Sequence, residues 1–222
     1  MIHQIKTAVH QLLIAPSCPI CRSLSAVADL PCDHCRASCQ LPERGLRGLS
    51  PLRWHALGPY DGGFRRLLLQ LKNRGGAKRA IPGLAALLHR QFRPATDVQL
   101  VPIPSWKRTA SLRNPLPELI AQGLQHPVRP LLIRPRAGLS QHRLGRAMRQ
   151  RNMRQAFAVH DAEPDHPLWL VDDILTTGAT AIAARDALMS AGHRLEGLLC
   201  LARTPRSGCD LRSQRRQDDV PG

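Results

Sequence analysis

Aromatic side chains are almost missing from this chain. One Tyr, three Trp and three Phe make up 3% of its 222 residues. A core must then be built from Leu, Ala, Val and Ile, and a ring platform for stacking single-stranded nucleic acid has little to draw on. Acid is also scarce: 16 Asp and Glu stand against 32 Lys and Arg, a formal net charge of +16. No apolar run approaches transmembrane length, so no membrane-spanning segment is expected. Lys6 lies early, but the apolar stretch from Leu12 to Ala15 is too short for a secretory leader, which points to the cytoplasm. None of the ten His is spaced H-x-x-x-H or H-E-x-x-H, which removes a helix-borne catalytic metal. Ser105 and Ser140 lie in no nucleophile elbow. No internal repeat is visible.

What is present concentrates in Leu168-Trp169-Leu170-Val171-Asp172-Asp173-Ile174-Leu175-Thr176-Thr177-Gly178-Ala179-Thr180. Leu168 to Val171 reads as a buried strand of a parallel sheet, and Ala181 to Ala191 as a helix stopped by Gly192. Thr180, Ala184, Ala187, Leu188 and Ala191 share one face of that helix. Between strand and helix come two carboxylates and a turn of hydroxyls and small residues. Asp172 and Asp173 can accept hydrogen bonds from ribose hydroxyls. Thr176, Thr177 and Thr180 offer hydroxyl donors, while Gly178 and Ala179 let backbone N–H groups approach an anion. The helix start adds unpaired N–H groups and a partial positive charge at the same place. The pattern describes a sugar-phosphate site. It is no Walker loop, because the closing Gly-Lys-[Ser/Thr] is missing.

A second pattern is Cys18-x2-Cys21-x10-Cys32-x2-Cys35, two thiolate pairs that together make a closed tetrahedral Zn²⁺ site. They sit in a Pro-rich opening segment too short for a core of its own, where a metal or disulfides usually do the holding. A reducing compartment favours zinc over disulfides. Cys39 is near enough to rival Cys35 as a ligand. Cys200 reads as a buried strand residue and Cys209 as a free thiol in the tail.

The positive charge is segregated. Arg65 to Arg79 holds six basic residues and no acid, and Arg129 to Arg154 holds eight Arg and no acid. Arg suits bidentate phosphate contacts. Such a basic face is expected to bind polyanions, single-stranded DNA among them, by a mainly electrostatic and salt-dependent mode. Along the chain, residues 1 to 16 read as an amphipathic helix and Arg53 to Leu57 as an edge strand. Phe64 to Leu71, Ile81 to Phe92 and Leu116 to Leu124 read as helices. Leu100 to Ile103, Leu131 to Ile133 and Leu195 to Ala202 read as strands. Ser105, Lys107 and Arg108 follow a strand end and are candidate anion contacts. The alternation gives an α/β fold with an open, mostly parallel sheet. Three parts are expected: a helix and zinc-ribbon lobe (1–45), the main α/β domain (46–204) and a polar tail (205–222).

The run VDDILTTGAT resembles the phosphoribosyl-pyrophosphate (PRPP) motif of type I phosphoribosyltransferases. That resemblance implies that Asp172 and Asp173 meet the ribose 2′- and 3′-hydroxyls and that Thr176, Thr177, Gly178, Ala179 and Thr180 bind the 5′-phosphate. A zinc ribbon ahead of such a motif resembles the ComF family, whose members are associated with DNA uptake or utilisation. Tyr60 to Leu68 with Leu71-Lys72, Val101-Pro102-Ile103-Pro104, and Arg134, Arg136, Gln141, Leu144, Arg149, Asn152, Ala156 and Phe157 extend the match. Ser111-Leu112-Arg113-Asn114 stands where the family usually has Arg-Gly-Phe-Asn, and Gly138 where it commonly has Thr. The family implies a phosphoribosyltransferase-like sheet and structural Zn²⁺. It implies a ligand such as PRPP or ribose 5-phosphate, with Mg²⁺ if transfer occurs, and DNA-uptake machinery proteins as partners. Three functions stay open: an accessory factor for DNA uptake or utilisation (competence), a working phosphoribosyltransferase, and a PRPP-sensing regulator.

Overall fold

The computed structural model describes residues 16–25, 27, 29–73, 79–93, 95, 97–105, 114–134, 156–160 and 166–205. The expected N-terminal helix, Lys107 and Arg108, residues 111–113, Arg136, Gly138, the Arg-rich stretch 143–154, Cys209 and the tail from 206 lie outside them. The elements in chain order are α1 (Asp33–Ser38), β1 (Leu46–Gly48), β2 (Trp54–Pro59), α2 (Gly62–Asn73), α3 (Ala80–Phe92) and β3 (Gln99–Pro102). They continue with α4 (Leu116–Gly123), β4 (Leu132–Ile133), β5 (Ala158–Val159), β6 (Leu168–Leu175), α5 (Ala179–Ser190) and β7 (Leu195–Arg203).

Five strands form one sheet in the order β1-β2-β7-β6-β3. Pairings β2–β7, β7–β6 and β6–β3 are parallel, and only β1 runs antiparallel, against β2. β4 and β5 make a separate antiparallel pair. This is the open, mostly parallel α/β sheet expected. One detail differs: the strand expected at the edge, β2, is interior. Residues 46–48 cover it, with Leu46 opposite Ala56 and Gly48 opposite Trp54. Three residues in a polar stretch leave no periodic signal to read.

The central strands are buried on both faces, which is why they read as continuous apolar runs. Along β7, Leu199 and Leu201 join the core packed by α2, α3 and α4, with Phe64, Leu68, Leu84, Leu88 and Ile120. Leu198 and Cys200 join the core on the other face, with Leu131, Leu132, Phe157, Ala181, Ala184 and Leu188. Cys200 is thus the buried strand residue expected. The helix after β6 buries Ala181, Ala183, Ala184 and Leu188, so Ala184 and Leu188 of the expected face are among them. It begins at Ala179 because Gly178 supplies the left-handed φ of +84° at its cap. Gly192, at φ +86°, ends it, with Gly192 and His193 N–H donating back to Met189 and Leu188.

The cysteine-bearing segment is seated on this core. Ile20 and Leu30 pack against it, and Cys39 and Leu41 belong to it. Gly83 on α3 makes the seat possible, because a Cβ there would stand 2.5 Å from Pro19 Cγ and 2.7 Å from the Asp29 carbonyl oxygen. The Asp29 carbonyl is backbone and cannot move alone. Gly83→Ala is therefore expected to cost about 1–3 kcal/mol by overpacking. Urea unfolding measures the loss.

Candidate functional site

Two side-chain constellations stand out. The first lies at the carboxyl end of β6, where open α/β sheets bind ligands. β6 does not stop at Val171 but runs through the acid pair to Leu175, paired with β7 as far as Leu175 opposite Arg203. The alternation between the two cores changes phase across the acids. Trp169 and Val171 pack on the α2–α4 side and Leu168 and Leu170 on the other, yet Ile174 joins the first and Leu175 the second.

Asp173 is 5% exposed and clamped. Lys72 Nζ, from the last turn of α2, stands 2.8 Å from its Oδ2. Asn114 Nδ2 donates to the same oxygen at 2.5 Å. Asn114 is fixed in turn, since its Oδ1 accepts from Leu116 N–H at 3.2 Å at the start of α4. Its own N–H donates to Ser105 Oγ at 3.1 Å. Ser105, a candidate anion contact, thus works here as a brace for Asn114. Asp172 is half-buried, and its Oδ1 accepts the Asp173 N–H at 2.8 Å. Burial, and then the neighbouring Asp173 charge, push the Asp172 carboxyl up to about 8. Arg134 feels Asp172 from beyond β4; burial lowers its guanidinium while Asp172 pulls it the other way. Arg134 Nε donates to the Pro104 carbonyl at 2.8 Å, and its Cζ lies 4.2 Å from the Phe157 ring centroid.

The turn follows at once. Thr176, Thr177 and Ala179 are exposed and Gly178 is buried. A Cβ on Gly178 would stand 2.2 Å from Pro51 Cγ, so φ and space both demand glycine. Thr177 Oγ1 accepts from Ala179 N–H at 3.4 Å, and Ile182 N–H closes the first helical bond onto Gly178 at 2.8 Å. The structure thus gathers Asp172, Asp173 and Thr176 to Thr180 at one sheet end, beside Lys72. It adds Asn114, Arg134 and Arg203, which pattern reading did not place there. Two carboxylates beside an N–H-rich turn can accept hydroxyls and hold an oxyanion.

The second constellation is the four Sγ atoms of Cys18, Cys21, Cys32 and Cys35, all within 4.8 Å of one another. An ion bound about 2.3 Å from each thiolate sets neighbouring sulfurs about 3.8 Å apart, and Cys21 and Cys32 Sγ lie 3.7 Å apart. Ile20 and Cys32 N–H both point at Cys18 Sγ, at 3.4 Å. The thiols are held unequally: Ser23 pulls Cys21 down to about 6, while burial pushes Cys35 up. A divalent cation removes that inequality, because ligating thiols bind deprotonated. The donor set therefore fits a metal ion such as zinc. Cys39 is not in the cluster; it is buried in the main core.

Beside the thiols, a cleft of about 940 Å³ runs between this lobe and the end of α3, lined by Arg36, Arg44, Arg90 and Arg93 with Leu24 and Leu87. Asp33 and Glu43 also line it, and Arg36 reaches Asp33 at 4.0 Å. Phe92, at the same end of α3, packs on His55 and Trp169 near the starts of β2 and β6. The cleft is thus at the opposite end of the sheet from the acid pair. Among the described residues no helix is long and apolar enough to cross a membrane.

The fold and its sites define a mixed α/β protein that joins an acid-pair and small-residue turn to a four-cysteine lobe able to hold a metal. The chain is 30% identical over 200 residues to DNA utilization protein YhgH of Salmonella typhimurium, covering 84% of each. It belongs to the family of that protein. The Escherichia coli protein of the same name is 27% identical over 202 residues, again with 84% of each chain covered. No protein-family model matches the chain. Among solved structures, an orotate phosphoribosyltransferase from Mycobacterium tuberculosis, crystallised with Fe(III) dicitrate, aligns over 83% of this chain and 89% of its own. That match has a TM-score of 0.37 at 14% identity.

Proposed function

We propose that this chain is a cytoplasmic phosphoribosyltransferase-like accessory factor of DNA uptake or utilisation, which binds PRPP or a ribose phosphate and also single-stranded DNA. The observation that carries the first half is the meeting of Asp172, Asp173 and the Thr176–Thr180 turn at the carboxyl end of β6. Asp172 and Asp173 would take the ribose hydroxyls and the turn the 5′-phosphate. Mg²⁺ brought by PRPP would neutralise its pyrophosphate. The name of the relatives supports the DNA half, and the arginine-lined cleft supplies cations for a strand. In this reading residues 1–45 carry a structural Zn²⁺ on Cys18, Cys21, Cys32 and Cys35. Residues 46–204 form the ribose-phosphate domain.

A thermal-shift comparison tests it. PRPP with Mg²⁺ at about a hundred times its Kd adds about 3 kcal/mol, roughly 5–10 °C for a chain of this size. The double variant Asp172→Ala with Asp173→Ala should show no rise. Absence of any shift in wild type with PRPP or ribose 5-phosphate sinks the ligand reading. Release of pyrophosphate with an acceptor present would favour a working transferase instead. For DNA, affinity for a short single strand should fall by about three-hundredfold between 50 and 200 mM salt if about six phosphates are neutralised. Charge reversal at Arg90 and Arg93 should weaken that binding and leave the PRPP shift in place.

A further inference from the structure

We infer that Arg203 is a positioning residue that sets the anion affinity of the Thr176–Thr180 turn from behind, without touching the ligand. This rests on the ribose-phosphate reading above. Arg203 closes β7 and is 4% exposed despite its charge. A guanidinium is seldom buried unless its donors are used. Here Nη1 donates to the Leu175 carbonyl at 3.0 Å and to the Thr176 carbonyl. The Leu175 carbonyl also accepts Thr204 N–H at 3.0 Å. The Arg203 Cζ stands 5.6 Å from the Trp54 ring centroid, within cation–π range.

These contacts fix two peptide planes. In a trans peptide the C=O of one residue and the N–H of the next point in opposite directions. Carbonyls of Leu175 and Thr176 drawn back onto Arg203 therefore turn the N–H groups of Thr176 and Thr177 forward. Both residues are exposed. Successive N–H groups facing one way form an anion-binding concavity, and the start of α5 adds its own. The same guanidinium sets a full positive charge behind the turn, where burial limits screening. Both bonds come from Nη1, so lysine would keep the charge and a donor but lose the planar group that lies against Trp54.

The test is isothermal titration of inorganic phosphate and of ribose 5-phosphate into wild type, Arg203→Lys, Arg203→Gln and Arg203→Met, with thermal midpoints recorded beside them. Arg203→Met should weaken phosphate by about tenfold, the scale of loss when a group that orients the binding groups is removed. Arg203→Lys should recover part of it by charge, and Arg203→Gln part by donating to one carbonyl. A purely structural role would lower the midpoints and leave the affinities of the folded variants equal. That outcome, with wild type binding, overturns the role of Arg203 alone. If wild type binds neither ligand, the ribose-phosphate reading falls first. Labelled wild type gives a check free of variants: on phosphate titration the Thr176 and Thr177 amide resonances should move most. Saturable binding that leaves both still would also overturn the proposal.

Discussion

Removing the metal from the reduced chain, or replacing Cys35 by Ser, should unfold residues 18–35 and lower the melting temperature of the whole chain. Little else holds this segment. Among the described residues its backbone bonds are few: Cys18 N–H to Ser23, Arg22 N–H to Cys18, Ser25 N–H to Pro16, Arg36 N–H to Cys32 and Cys39 N–H to Cys35. Its apolar contribution is the partial burial of Ile20 and Leu30. Such a lobe cannot offset its own chain entropy, about 1–2 kcal/mol for each ordered residue. Structural zinc in small modules supplies roughly 10–16 kcal/mol of apparent binding energy at neutral pH, and that energy is folding energy. The loss would not stay local. Cys35 lies on α1, and Cys39 and Leu41 just beyond that helix are part of the main core. Metal analysis of reduced protein should find one zinc per chain, and a chelator should lower the midpoint by several degrees. Well under one zinc per chain would end the proposal.

The two constellations were legible in the sequence for different reasons. The cysteine pairs could be read because ligand spacing is local, and the structure adds that Cys39 is core. The turn could be read because Gly178 and its small neighbours mark a close approach of backbone. What spacing cannot show is the company the acids keep. Lys72 and Asn114 reach Asp173 from α2 and from the start of α4, and Arg134 faces Asp172 from beyond β4. These are contacts of tertiary packing between segments far apart in the chain. Arg203 was invisible for a further reason. It is the last residue of an apolar strand, where a cation normally reads as the strand's exit to solvent. The interior position of β2 escaped because its covering strand, β1, is only three residues long.

Asp172→Asn should flatten the pH dependence of stability between about pH 4 and pH 8. In the folded chain, burial and the adjacent Asp173 raise the Asp172 carboxyl from an ordinary 3.8 to about 8. Above pH 4 the unfolded chain gives up this proton while the folded chain keeps it. The folded state then binds more protons, so this group lowers stability as pH rises through that window. The effect grows through that window and is complete near the raised value. Asparagine keeps an oxygen for the Asp173 N–H and carries no charge to bury, so the variant should melt higher than wild type at pH 8. At pH 4 the two should melt together. Asp173 and Lys72 oppose each other at this carboxyl, and Arg134 lies within reach of it. A flat wild-type profile would show instead that these cations already hold Asp172 ionised. The same proton bears on ligand binding. A ribose held by an ionised Asp172 must displace it, so binding near pH 7 should release up to about one proton per chain. Titration calorimetry in two buffers of different ionisation enthalpy would count that proton, and Asp172→Asn should reduce the count to near zero.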